Sequence, residues 1–79
     1  MRVRVQLFAS LGRYAPESGL EGFQEVDLGD GATVQDLLSR LRVPREAIKL
    51  VFVNGVHAKP ETVLRHGDRV GVFPPVAGG

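Results

Sequence analysis

With 79 residues, no cysteine and a formal net charge of +1, the chain has room for one small domain. Disulfides, thiolate metal sites and cysteine nucleophiles are excluded. The charge gives no general attraction to nucleic acid or anionic lipid, and no apolar run approaches the ~20 residues that span a bilayer.

A domain of this size buries only about 60–65% of the surface its unfolded chain exposes, so each core residue counts. The start, Met1-Arg2-Val3-Arg4-Val5, alternates and lacks the apolar block of a signal peptide. A cytoplasmic protein is expected, one domain over residues 1–79 with 74–79 as a flexible C-terminal tail.

Residues 2–8 have a period of two. Val3, Val5 and Leu7 face one way; Arg2, Arg4, Gln6 and Phe8 face the other, which predicts a strand with one buried face. Phe8 is out of place among polar neighbours. Arg2 and Arg4 share its face, where they either stand in solvent or pair with acids on a partner. Residues 9–22 read as a short helical turn and then a loop, from Leu11, Tyr14, Pro16, Ser18 and Gly19. Residues 23–28 read as a second strand with Val26 and Leu28 inward, paired with the first through a long connection.

Gly29-Asp30-Gly31 breaks that strand. Thr33 is placed to cap a helix, with Asp36 at its third position near the positive end of the dipole. Val34, Leu37, Leu38 and Leu41 fall at i, i+3, i+4 and i+7 and make one apolar stripe. Val43-Pro44 is expected to close this helix, the one long helix of the chain.

Leu50-Val51-Phe52-Val53 is a continuous apolar run, a strand covered on both faces or met by a partner on its outer one. Asn54-Gly55 signals a two-residue hairpin. Residues 56–59 return as a strand and 60–63 form a loop. Leu64 enters the core, His66-Gly67-Asp68-Arg69 turns, and residues 70–73 form the last strand. Pro74-Pro75 ends it, because proline has no N–H for a sheet. The six residues past that strand can extend roughly 20 Å. Gly78 and Gly79, without Cβ atoms, can enter a channel too narrow for other residues. Read alone, such an end is either a frayed terminus or the working part of the chain.

The order is β-β-α-β-β-β. One helix stripe must cover a sheet face lined by Val3, Val5, Leu7, Val26, Leu28, Val51, Val53, Val70 and Val72. These sets match in size. They predict an α+β fold, a mixed five-stranded sheet around one main helix, which is the ubiquitin-like β-grasp architecture with the first and last strands parallel at the centre. Chemistry elsewhere is sparse. Two histidines, His57 and His66, are too few for a metal site, and none is expected. Asp30, Asp36 and Asp68 suit turns and caps. Gly29-Asp30-Gly31 lacks the lysine of a phosphate loop.

Five stretches carry a family resemblance: Val5-Gln6-Leu7-Phe8-Ala9, Gly31-Ala32-Thr33-Val34 with Leu37-Leu38, Val53-Asn54-Gly55, Gly67-Asp68-Arg69-Val70, and Phe73-Pro74-Pro75-Val76-Ala77-Gly78-Gly79. Over its whole length the chain resembles the molybdopterin synthase small subunit and its sulfur-carrier relatives. The double proline favours the molybdopterin branch over the thiamine branch. The resemblance implies a protein with no activity alone, serving as the small subunit of an enzyme. An adenylyltransferase resembling the ubiquitin-activating enzymes would use ATP to adenylate Gly79, and a sulfur donor would then convert it to a thiocarboxylate. The large subunit of molybdopterin synthase would receive the sulfur, for molybdenum or tungsten cofactor. The chain itself would bind no cofactor, nucleic acid or membrane.

By the same resemblance Gly79 carries the adenylate and then the sulfur, and Gly78 gives clearance. Positions matching Phe8 and Phe73 contact both partners from the open sheet face, and a third, normally apolar, matches His57. Pro74, Pro75, Val76 and Ala77 belong to the segment the partners grip. Other expectations stay open: a sulfur carrier for thiamine, tRNA thiolation or another pathway; a ubiquitin-like modifier joined through Gly79 to lysines; or an interaction module with an inert tail.

Overall fold

A computed structural model of the chain describes residues 1–14 and 23–75. Strands β1 (Arg2–Leu7) and β2 (Phe23–Asp27) precede helix α1 (Val34–Arg40); β3 (Leu50–Val53), β4 (Val56–His57) and β5 (Arg69–Phe73) follow it. Short 3-10 segments lie at Ala9–Tyr14 and Arg45–Ala47. The strands make one mixed sheet in the order β2-β1-β5-β3-β4. β5 runs parallel to β1, and the other pairs are antiparallel. This is the β-grasp expected from the sequence.

The period-two pattern sets the inner face. Val3, Val5 and Leu7 of β1, Val70 and Val72 of β5, Val26 of β2 and Val51 of β3 are buried beneath Val34, Leu37 and Leu38 of α1. Leu11, Leu28, Val43 and Leu64 fill in from the connections, and no polar residue among those described is buried with them. Leu41 and Val53, expected inside, are only partly buried at the margin.

Local chemistry fixes the helix ends. The Asp36 N–H donates to Thr33 Oγ1 at 3.2 Å and the Thr33 N–H to Asp36 Oδ2 at 2.9 Å, a reciprocal capping box. The helix stops earlier than Val43-Pro44: Leu41 is its C-cap, and Arg42 takes the left-handed conformation at φ 59°. That reversal drops Val43 into the core, its N–H donating to the Leu38 carbonyl at 3.1 Å.

At the hairpin, Asn54 and Gly55 have φ of 53° and 82°. Two positive values match a type I′ turn, whose twist suits the flanking strands. The returning strand has two residues rather than four, with Pro60 just beyond. Asn54 also braces β5: its Oδ1 accepts the Arg69 N–H and its Nδ2 donates to Asp68 Oδ1, both at 2.9 Å. Among the described residues no helix is long and apolar enough to cross a membrane. Pro16, Ser18 and Gly19, assigned to a loop, lie outside the described residues, as does the end of the tail.

Candidate docking face and tail base

The alternation that buries valines on one side of the sheet leaves a different set on the other. Phe8 follows β1, and its N–H donates to the Val72 carbonyl at 3.0 Å, continuing the parallel ladder by one residue. Its ring stacks on Phe73, with centroids 4.2 Å apart and planes 6° from parallel. Phe52 of β3 meets Phe73 edge-on at 5.6 Å, and His57 of β4 stands 5.8 Å from Phe52. The rings thus cross four strands in a line. Phe8, Phe52 and Phe73 are half-buried and Phe23 and Leu50 are exposed. A contiguous face of half-exposed apolar side chains is a candidate docking surface.

Gly71 shapes this face. A Cβ there would stand 3.3 Å from Phe8 Cε2 and 3.5 Å from Phe73 Cε2. Its absence lets the stacked rings settle onto the backbone and leaves a recess of about 310 Å³ bordered by Phe8, Phe23, Phe52, Phe73 and Arg69.

Charge is unevenly distributed around the recess. Arg2 Nε donates to Asp27 Oδ1 at 3.0 Å and Nη1 to Glu25 Oε2 at 3.5 Å. The hydrogen bond and positive charge of Arg2 hold the Asp27 carboxyl below its ordinary range, and Asp27 in turn raises the Arg2 guanidinium. Arg2, for which the sequence left solvent and a partner's acids open, is therefore paired within the chain. Arg4 lies over the Phe23 ring at 5.2 Å.

The tail leaves from the centre of the sheet. The Phe73 carbonyl accepts the Lys49 N–H at 2.8 Å, and the next two residues, half-buried Pro74 and exposed Pro75, bring no N–H to any ladder. Val76, Ala77, Gly78 and Gly79 lie outside the described residues. Of the positions expected to meet partners, Phe8, Phe73 and His57 share one face, and Pro74 and Pro75 stand at its edge. His66 lies apart, its Nδ1 accepting the Arg2 N–H at 3.0 Å. No metal-holding group of three His, Asp or Glu residues occurs among the described residues.

Phe52 and Gly71 are members of this face that reading the sequence missed. The signal for Phe52 was present: a two-residue Asn54-Gly55 turn pairs Val53 with Val56 and hence Phe52 with His57, as observed. Gly71 gave no comparable signal, since its role depends on two rings from different strands.

A family model described as the ThiS family matches residues 5–79. The molybdopterin synthase sulfur carrier subunit of Chlamydomonas reinhardtii is 30% identical over 87 aligned positions, covering all of both chains. Among solved structures, SAMP1 from Haloferax volcanii superposes with a TM-score of 0.79 at 27% identity, again covering all of both chains. A Pyrococcus furiosus protein assigned as subunit 1 of a molybdopterin converting factor gives 0.73 at 30% identity, covering 96% of this chain and 99% of its own.

Proposed function

The chain belongs to the ThiS family, and from that premise we propose that it carries sulfur on the carboxylate of Gly79 for molybdopterin synthesis. A carboxylate is a poor electrophile. An adenylyltransferase partner activates it with ATP, forming an acyl-phosphate bond to AMP and releasing pyrophosphate. A sulfide-level nucleophile from a donor then attacks the acyl carbon, AMP departs with the electrons of the broken C–O bond, and a thiocarboxylate remains. In the large synthase subunit that sulfur attacks an electrophilic carbon of the substrate. Hydrolysis of the resulting thioester returns Gly79 to a carboxylate.

The carrying observation is the geometry at the end of β5. The central strand is held by β1 up to Val72 and by β3 up to Phe73, two prolines release the chain, and the aromatic face stands beside the exit. This arrangement suits a rigid body that aims a short arm into another protein's site. The chain offers no cysteine as an alternative sulfur carrier. The similarity to a molybdopterin synthase sulfur carrier subunit favours that client over thiamine or tRNA. The test is reconstitution: sulfur-loaded chain, synthase large subunit and the pterin precursor (precursor Z) are mixed and the intact mass followed. Loss of the thiocarboxylate as dithiolene product forms is expected. A thiocarboxylate that persists beside an active large subunit would overturn the client.

A second reading is favoured by the likeness to SAMP1, a small archaeal modifier protein. The same Gly79 adenylate, attacked by a lysine amine instead of sulfide, gives an isopeptide and AMP. Branched peptides joining Gly79 to a lysine side chain would support it, and their absence under strong expression would remove it.

A further inference from the structure

Two arginines on the open face stand opposite each other with no counter-charge paired to them among the described residues. Arg4 of β1 is the register partner of Arg69 of β5, on strands ~4.8 Å apart. Both are exposed. Like charges facing each other across a ladder destabilise it. The neighbouring acids among the described residues are engaged elsewhere. Glu25, across from Arg4 in register, reaches Arg2 instead at 3.5 Å, and Asp27 holds Arg2 at 3.0 Å. Asp68, adjacent to Arg69, accepts from Asn54 Nδ2 at 2.9 Å and from the Arg65 N–H at 2.8 Å. Among the described residues neither Arg4 nor Arg69 forms an ion pair.

The surroundings select the kind of anion. Arg4 lies over the Phe23 ring, and a guanidinium can bind a carboxylate at two points. Phe23 and Arg69 both border the recess over Gly71. The cationic pair and the apolar hollow are therefore parts of one surface. Single-stranded nucleic acid also uses cations beside aromatic rings, but here Phe8, Phe73 and Phe23 each have one face already covered, by another ring or by Arg4. A net charge of +1 supplies no wider field for a phosphate backbone.

We propose that this face recognises a protein segment in which an aspartate or glutamate stands next to a large apolar side chain. The carboxylate bridges Arg4 and Arg69 and neutralises their repulsion, while the apolar side chain fills the recess floored by Gly71. The proposal rests on the reading that the chain works by docking on protein partners, and it adds what such a partner presents.

The test needs no known partner. The full ¹⁵N-labelled chain is titrated at low ionic strength with acetyl-Leu-Glu-amide and, separately, with acetyl-Leu-Gln-amide. The Glu peptide is expected to move the Arg4 and Arg69 Nε–H signals and the Gly71 amide, with a midpoint roughly threefold to tenfold below that of the Gln peptide. The double variant Arg4→Gln/Arg69→Gln, checked for folding by its thermal midpoint, loses that difference; Arg2→Gln keeps it. Equal midpoints for the two peptides, unmoved Arg4 and Arg69 signals, or tighter binding of oligouridylate at the same residues would each overturn the proposal. Sulfur loading of the same chain, read by intact mass, separates the two levels. A chain that loads sulfur but ignores the Glu peptide refutes the carboxylate site alone. One that binds the Glu peptide but never loads refutes the sulfur-carrier reading and leaves the site standing.

Discussion

Replacing Leu37 by alanine and, separately, Phe8 by alanine tests whether the two faces of the sheet have different jobs. Leu37 is 0% exposed, packed from α1 onto the valines of the inner face. Truncating such a residue costs about 2–5 kcal/mol in lost transfer energy and residual cavity. A domain of 79 residues has only about 4–12 kcal/mol to lose. The Leu37→Ala midpoint should therefore fall by about 10–30 °C, with the urea midpoint moving in proportion. Phe8 is larger but half-buried, and its main ordered contact is the stack on Phe73. Such a pair contributes about 0.5–1.5 kcal/mol beyond its area, so Phe8→Ala should cost about 1–2 kcal/mol and leave a folded protein. Its larger effect should be on docking, measured by calorimetry against the synthase large subunit. Thermal melts of the two variants decide the matter. If Phe8→Ala destabilised as much as Leu37→Ala, the open face would be a second core, and its reading as a docking surface would fail.

Thr33→Ala removes one arm of the capping box and should lower urea stability by about 0.5–2 kcal/mol; an unchanged midpoint would show that tertiary packing alone sets the start of α1. Asn54→Ala loses both braces to β5 and a residue suited to positive φ, so a loss of about 1–3 kcal/mol is expected in the same assay. The Asp27 carboxyl is held low in the folded chain, so the folded state binds that proton less readily than the unfolded state. Its contribution is present above the ordinary carboxylate range and lost as pH falls through the depressed value. Arg2→Gln should flatten the acid side of the stability profile, by little because both groups stand in solvent; urea melts across a pH series that showed no flattening would contradict the pairing.

Much of the fold was legible because short-range chemistry and period agree. Val3, Val5 and Leu7 announce a half-buried strand, Thr33 and Asp36 a capped helix, and Asn54-Gly55 a hairpin, and all three appear as read. The helix end was misplaced because Arg42 takes a left-handed conformation that sequence usually signals with glycine or asparagine. The candidate docking face was legible only in part. Phe8 stood out as an apolar residue on a polar side. Phe52 was hidden inside an apolar run whose parity is fixed only through the hairpin register. Arg2 could not be assigned without knowing that it faces Asp27 across β1 and β2. Gly71 acquires meaning only when Phe8 and Phe73 arrive over it from neighbouring strands.

The central claim is that Gly79 is the reactive end of a scaffold that aims it. Intact-mass measurement of the full chain tests it most directly, after incubation with ATP, a cognate adenylyltransferase and a sulfide source. The account predicts a mass gain equal to one exchange of oxygen for sulfur, located at Gly79. Deleting Gly78 and Gly79 should abolish the gain while leaving the thermal midpoint unchanged. An unaltered mass, with an adenylyltransferase shown to be active, would contradict it.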